Sequence, residues 1–343
     1  MKVGVLTGGG DAPGLNAAIR AIVVKGSSYD YHLLGIKNGW AGLLKKHTQS
    51  LSPELMEDTW FKGGTLLGTS RTNPYKEEGG EKEIFHNFKK LGLDALIAIG
   101  GEDTLGVANK LAKSGMAVVG VPKTIDNDLS GTDYCIGFDT AVSRAAEAIG
   151  ELHSTARSHH RVMVVEIMGR HAGWLTLQAG LAGGAHLILI PEVAFDIKEI
   201  MKTLKNRYEK GLSYAIVAVA EGAKPAAEGD LIFQSAEKDA FGHVRLGGIA
   251  QALSSSIEEK AGIEARSIVL GHIQRGGRPT AADRIMAMRV GAKAIELVHD
   301  KMFGQMASVK EGRITSVPIK DAVSELKTVD MELYKMAKSF FKA

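Results

Sequence analysis

Residues 116–128 read Met-Ala-Val-Val-Gly-Val-Pro-Lys-Thr-Ile-Asp-Asn-Asp, and the fold turns on how they are read. Met116 to Val121 is a short continuous apolar run, the pattern of a strand buried on both faces of a parallel sheet. Pro122 cannot donate to a sheet ladder, so the strand should end there. The chain then sets out an ammonium (Lys123), a hydroxyl (Thr124) and two carboxylates (Asp126 and Asp128). A carboxylate near a fixed ammonium stays ionised at neutral pH, and an ionised carboxylate can take the proton of a substrate hydroxyl. A lysine beside it can hold a phosphate as a point charge. By themselves the residues fit two descriptions: a site for phosphoryl transfer to an alcohol, or a polar loop built on an Asp-Asn-Asp turn.

Working outward toward the N-terminus, residues 95–99 form a second buried apolar run, followed by Gly100-Gly101-Glu102-Asp103-Thr104 and a helix through Lys113. Acids after two glycines at a strand's C-terminal end are placed to hold Mg²⁺, directly or through water. They also serve simply to stabilise the first turn of the next helix. Further back, residues 2–7 read as a strand that runs into Gly8-Gly9-Gly10-Asp11-Ala12-Pro13-Gly14 and a helix from Leu15 to about Lys25. Such a turn presents backbone N–H groups to an anion. No Gly-Lys-Ser/Thr follows, so it is not a Walker A loop. Residues 32–36 suggest a short strand and 83–91 a helix. Between them the glycine-rich loop at 62–74 carries Arg71, suited to clamp a phosphate or to sit on the surface. Three strand-to-helix turns thus carry glycine, acid or lysine, and in an open α/β sheet such turns line one crevice.

Toward the C-terminus, Gly137-Phe138-Asp139-Thr140 precedes a helix with Val142, Ala146, Ile149 and Leu152 on one face, and a domain boundary is placed there. Strands are expected at 161–167, 187–190 (closed by Pro191), 214–220 and 267–271. Asp196 with Glu199 makes a capping box ahead of the helical stripe Ile197, Ile200, Leu204 and Tyr208. Residues 223–242 read as a polar excursion or hairpin, 248–259 as a helix, and 319–341 as two short helices. Thr280 and Asp283 are expected to cap a long helix to about Val298. Strands alternate with helices throughout, which predicts an α/β protein with mostly parallel sheets and a second domain repeating the theme of the first. Arg161, Met168, Arg170, Glu221, Arg266, His272 and Arg275 fall at or near strand ends. The arginines suit a bidentate grip on phosphate. Singly, His272 also fits a core histidine, Met168 plain packing and Glu221 a helix cap.

Composition narrows the class. The chain has 343 residues, 45% hydrophobic and 24% charged, with a net charge of only +3. That is ordinary for a globular protein and gives no basic groove for nucleic acid or a membrane surface. One cysteine, Cys135, allows no intrachain disulfide and fits a reducing, cytoplasmic setting. Residues 2–7 leave no room for a signal peptide, and no apolar run approaches the roughly 20 residues of a membrane helix. The 41 glycines, high against about 7% on average, cluster after strands instead of forming a linker.

With these motifs together the chain resembles the bacterial 6-phosphofructokinases over nearly its full length. The resemblance is carried by 8–20 (GGGDAPGLNAAIR), 100–104 (GGEDT), 122–137 (PKTIDNDLSGTDYCIG), 164–173 (VVEIMGRHAG), Glu221 and 270–277 (LGHIQRGG), all in the family's order. It implies the phosphofructokinase fold: two Rossmann-like domains, a phosphoryl-donor domain at 1–138 plus 274–324 and a sugar-phosphate domain at 139–273 plus 325–343. It implies Mg²⁺, fructose 6-phosphate as acceptor, and a homodimer or homotetramer with shared active sites. By resemblance Asp126 is the general base on the sugar 1-hydroxyl, with Thr124, Lys123 and Asp128 beside it, and Glu102 stands at the magnesium position. Gly10 and Arg71 would hold the donor phosphates. Met168, Gly169, Arg170, Glu221, His272 and Arg275 would bind the sugar phosphate, with Arg161 and Arg266 reaching it from a neighbouring subunit.

Two positions choose the donor. ATP-using members usually carry glycine where this chain has Asp103 and often where it has Lys123, so the chain resembles the pyrophosphate-dependent branch at both. A side chain at 103 fills space a nucleotide needs, and its charge opposes the α-phosphate. Lys123 offers positive charge to a donor that brings no adenosine. The ATP-dependent enzyme is the alternative. A non-catalytic sugar-phosphate sensor on the same fold is opposed by the intact Asp126, Asp128 and Glu102. The first helix has Ala21-Ile22-Val23-Val24 after Arg20, where allosteric members carry basic residues, which argues against their usual effector control.

Overall fold

The computed structural model describes residues 1–227 and 246–341. In chain order the first elements are β1 (Lys2–Thr7), α1 (Leu15–Ser27), β2 (His32–Ile36), α2 (Trp40–Lys45), β3 (Thr48–Leu51), α3 (Gly80–Lys90), β4 (Ala95–Gly100), α4 (Glu102–Lys113) and β5 (Val118–Pro122). There follow α5 (Phe138–Ser158), β6 (Val162–Ile167), α6 (Trp174–Gly183), β7 (Leu187–Leu189), α7 (Ile197–Glu209), β8 (Ala215–Ala220), α8 (Ile249–Ala261) and β9 (Ala265–Val269). The chain ends with α9 (Ala281–His299), β10 (Gln305–Lys310), β11 (Arg313–Pro318), α10 (Ile319–Ala322) and α11 (Met331–Lys338). These form two compact units: Met1–Thr140 with Arg275–Leu326, and Ala141–Gln274 with Lys327–Ala343.

The first unit is built on a seven-stranded sheet in the order β11-β10-β5-β4-β1-β2-β3. Its middle is parallel, while the edge strands β3 and β11 run antiparallel to their neighbours. Strands β4 and β5 are buried along their whole length, which is why they read as unbroken apolar runs. One face is covered by a core that includes Leu15, Ile19 and Ile22 of α1 with Val290, Ala294 and Ile295 of α9. On the other, Leu105, Ala108 and Leu111 of α4 pack with Trp40, Leu43 and Ile84. From β1 the chain steps outward to β2, whereas β4 lies on the opposite side of β1. The strand order therefore reverses between β1 and β4, the place where open α/β sheets form a ligand crevice.

The second unit has a four-stranded, all-parallel sheet in the order β7-β8-β6-β9. Val162, Val164, Val217 and Val219 of its strands pack with Ile200 and Leu204 of α7 and Leu253 and Ile257 of α8. Strand β9 begins two residues before the expected 267–271, and Gly271–Arg275 form a 3₁₀ turn. As an edge strand with Arg266 and Val269 exposed, it does not show an apolar run at its true start. The polar excursion expected at 223–242 lies largely outside the described residues. Its first part pairs with Phe195, whose N–H donates to Lys224 O and whose carbonyl accepts from Ala226 N. The hairpin β10–β11 was not anticipated. Among the described residues no helix is long and apolar enough to cross a membrane.

Candidate active site

In the first unit the C-terminal ends of β1, β4 and β5 deliver three turns to one place. Gly8 N donates to Ile99 O at 3.0 Å and Lys123 N to Gly100 O at 3.0 Å, so the strand ends are laddered together past the last apolar residue. The fit at Gly8 leaves no room for a side chain: a Cβ there would stand 2.5 Å from Thr104 Oγ1 and 2.8 Å from its Cγ2. The loop carrying Arg71 is stitched to the same turn. Gly9 N donates to Ser70 O at 3.2 Å and Thr69 Oγ1 to Gly9 O at 2.6 Å, which holds the exposed Arg71 next in sequence to the clamp.

Lys123 is the centre of this arrangement. Its side chain is buried, and Nζ donates to Gly8 O at 3.1 Å and to Gly10 O. Its pKa is pushed down to about 8, chiefly by burial and also by the positive charge of Arg275, while Asp126, Asp11 and Asp128 oppose the shift. Arg275, from the turn after β9, lies on the same glycine loop: a Cβ on Gly10 would fall 2.9 Å from its Cζ.

The loop after β5 folds back on itself. Asp126 is buried, and its N–H donates to Thr124 Oγ1 at 3.1 Å. Between the two acids Asn127 takes a left-handed conformation, φ 53°. Its Nδ2 donates to Asp133 O at 3.1 Å and its Oδ1 accepts from Cys135 N at 3.0 Å. This is the Asp-Asn-Asp turn expected from the sequence, with Asn, a residue that tolerates the left-handed conformation, at its middle. Further along, buried Asp283 accepts from Gly137 N at 2.8 Å and from Thr140 N at 2.7 Å, tying the loop's end to α9. Burial raises its pKa to about 6 against the opposing effect of these bonds.

Glu102 and Asp103 occupy the first turn of α4, Glu102 exposed and Asp103 half-buried. Glu102 and Asp128 line one cavity of about 50 Å³. Among the described residues no group of three or more His, Cys, Asp or Glu side chains is gathered to hold a metal. Leu129, Ala322, Val323 and Leu326 share the lining with Ser324 and a third acid, Glu325; magnesium typically takes one or two carboxylates, keeps several waters and shares the substrate's phosphates, so the carboxylates at this cavity fit it.

In the second unit Met168, Gly169, Arg170 and Glu221 meet at the ends of β6 and β8. Arg170 N donates to Glu221 Oε1 at 3.1 Å, Arg170 has φ 51°, and Gly222 is pressed onto Arg170 O. Burial raises the pKa of Glu221, opposed by hydrogen bonds from Arg170 and Gly169. Buried Gln274 accepts from Met168 N at 3.3 Å and donates to Gly271 O at 3.0 Å, bringing the turn with exposed His272 to this corner. Arg161 and Arg266 are elsewhere. They share Glu264, at 2.9 and 2.6 Å, and Arg266 also pairs with Glu258. Arg161 immediately precedes β6 and Met168 immediately follows it. The six residues of that strand separate the two ends by about 20 Å.

Glycine turns, a buried lysine and clustered carboxylates at the ends of parallel strands make a phosphate-handling α/β protein. The chain belongs to the phosphofructokinase family, whose model matches residues 2–298. It is 54% identical to the pyrophosphate–fructose 6-phosphate 1-phosphotransferase of Amycolatopsis methanolica, over 99% of this chain and 100% of that one. To the ATP-dependent 6-phosphofructokinase of Mycobacterium tuberculosis it is 48% identical, again over 99% and 100%. The crystal structure of the pyrophosphate-dependent phosphofructokinase from Marinobacter aquaeolei, 23% identical, shares the fold with a TM-score of 0.83 over 97% of this chain and 86% of that one. The two-domain α/β phosphofructokinase fold expected from the sequence is borne out.

Proposed function

We propose that this protein transfers a phosphoryl group from pyrophosphate to the 1-hydroxyl of fructose 6-phosphate, giving fructose 1,6-bisphosphate and orthophosphate. The observation that carries the reading is the buried Lys123 ammonium held on the carbonyls of Gly8 and Gly10, with Asp126 close enough for their charges to interact. Relatives bearing the pyrophosphate enzyme's name stand at 54% identity and those bearing the ATP enzyme's name at 48%. The donor reading also has a physical basis in Asp103. Two unit charges about 5 Å apart at an effective dielectric of ~20 repel by about 3 kcal/mol, roughly a hundredfold in affinity, which disfavours a nucleotide's α-phosphate beside that carboxylate.

In this reading Asp126 takes the proton of the 1-hydroxyl as its oxygen bonds to the transferring phosphorus. The bridging P–O bond breaks and orthophosphate leaves. Thr124 orients Asp126 through its backbone N–H. Lys123 and Arg71 hold the donor's negative charge, and Gly10 lets the phosphates approach the backbone. Magnesium, held by Glu102 and Asp128 directly or through water, would neutralise pyrophosphate charge. Met168, Gly169, Arg170, Glu221, His272 and Arg275 would bind the sugar phosphate. Arg161 and Arg266, about a strand's length from that corner, would complete a neighbouring subunit's site in a homodimer or homotetramer. The single cysteine supports a cytoplasmic setting. Because pyrophosphate and the phosphate ester are similar in energy, the reaction should run both ways.

The test is a steady-state assay of purified protein with fructose 6-phosphate, Mg²⁺ and either donor. Pyrophosphate should support turnover and ATP little or none, with Asp103→Gly raising kcat/KM for ATP. A wild type that prefers ATP overturns the donor reading.

A further inference from the structure

Beyond Asp103, helix α4 and the chain that leaves Arg71 converge. Asp103, Gly106, Lys110 and Ser114 follow one another at helical spacing, so they share one face of α4 and its C-terminal cap. Asp103 is in the first turn, and Lys110 lies about 10 Å further along the axis. The strip between them is open: a Cβ on Gly106 would meet no neighbouring element within 4 Å. Its far end is closed. There Pro74–Lys76 form a 3₁₀ turn capped by Asn73, whose Oδ1 accepts from Tyr75 N at 3.0 Å. The turn is seated on the start of α3, where a Cβ on Gly80 would stand 2.2 Å from Pro74 O. Lys110 Nζ stands 4.8 Å from the centroid of the Tyr75 ring. The Tyr75 hydroxyl donates to Glu81 Oε1 at 3.0 Å, and Ser114 Oγ donates to the same oxygen at 2.7 Å. Tyr75 is half-buried against the core that includes Leu105 and Leu111. Burial, and then the Glu81 carboxylate, raise the pKa of its phenol, so the hydroxyl keeps the proton it donates.

We propose that Tyr75, anchored by Glu81 and Lys110, is a specificity-determining residue that closes the donor site at the length of a diphosphate and keeps a nucleoside out. The proposal rests on the donor reading above. With an α-phosphate beside Asp103, a nucleoside continuing along α4 runs into the Tyr75 ring. Admitting it would break a hydrogen bond to a carboxylate and a cation–π contact, which together cost about ten- to hundredfold in affinity. Pyrophosphate ends before Tyr75 and meets no such cost. Asp103 acts by charge on the α-phosphate and Tyr75 by filling the path beyond it, so their effects can be separated.

Steady-state kinetics of Tyr75→Ala placed in the Asp103→Gly protein tests this. Relative to Asp103→Gly alone, kcat/KM for ATP should rise about ten- to hundredfold, chiefly through KM. The KM for pyrophosphate should stay within about twofold, since that donor does not reach Tyr75. Tyr75→Phe keeps the ring but loses the bond to Glu81, and in the same background it should give a smaller gain in ATP use. No gain with ATP in a Tyr75→Ala protein that still turns over pyrophosphate overturns the proposal and leaves the donor reading standing. If Tyr75→Ala does not fold, Tyr75→Phe decides by the same criterion. A wild type that uses ATP as well as pyrophosphate overturns both.

Discussion

Asp126 is buried beside an ammonium whose pKa it helps to set, and its own backbone is held by Thr124. If it is the base, Asp126→Asn should cut kcat by about 10²–10⁴-fold while fructose 6-phosphate binding, followed by calorimetry, is nearly unchanged. Near-normal kcat would refute the assignment. Lys123 makes a pH-dependent claim. Burial holds its pKa near 8, so it is charged below that value and loses its charge as pH rises through it. Affinity for pyrophosphate should therefore fall above about pH 8, by up to about tenfold per unit. Lys123→Met separates the lysine from the ligand's own ionisation: the wild type's advantage over this variant should shrink from pH 7.5 to 9.5, and a constant advantage would contradict the claim. Most of these residues were legible because they are neighbours in sequence. The glycine loop's contact with Arg275 was not, since it joins positions 265 apart, and no local pattern reports it.

At the scale of elements, β1, β4 and β5 were readable because burial on both faces leaves an uninterrupted apolar run. The hairpin β10–β11 was not: its strands mix Ser, Thr, Gln, Lys and Arg with apolar residues, and β11 is an edge strand only half-buried. Its turn is set by Glu311 and Gly312, both at positive φ. The start of α9 was read as a capping box, and half of that holds. Thr280 Oγ1 does accept from Asp283 N at 3.2 Å, but the Asp283 carboxylate turns to Gly137 and Thr140 instead of reaching back to Thr280. Thr280 also donates to Asp139 Oδ2, so one side chain joins the cap to the start of α5, where the loop after β5 ends. Thr280→Ala should cost about 1–2 kcal/mol in urea denaturation; a loss below about 0.3 kcal/mol would show that the cap carries no stability.

For the molecule as a whole, each of two units contributes one group of strand ends: the glycine turns with Lys123 and Asp126 in the first, a Met168–Glu221 corner in the second. Arg161 and Arg266 belong to neither group, and their shared partner Glu264 holds them together at the opposite end of the second sheet. Sites completed between subunits would explain this. Mixing inactive Asp126→Asn with inactive Arg161→Ala should then restore some activity after subunit exchange; exchange verified by native mass spectrometry without any regained activity would count against shared sites. The central claim, that pyrophosphate is the donor, is tested most directly in reverse. Purified protein incubated with fructose 1,6-bisphosphate, orthophosphate and Mg²⁺, and followed by ³¹P NMR, should build up a pyrophosphate resonance while the bisphosphate is converted to fructose 6-phosphate. No pyrophosphate under these conditions, with ATP formed when ADP replaces orthophosphate, would contradict it.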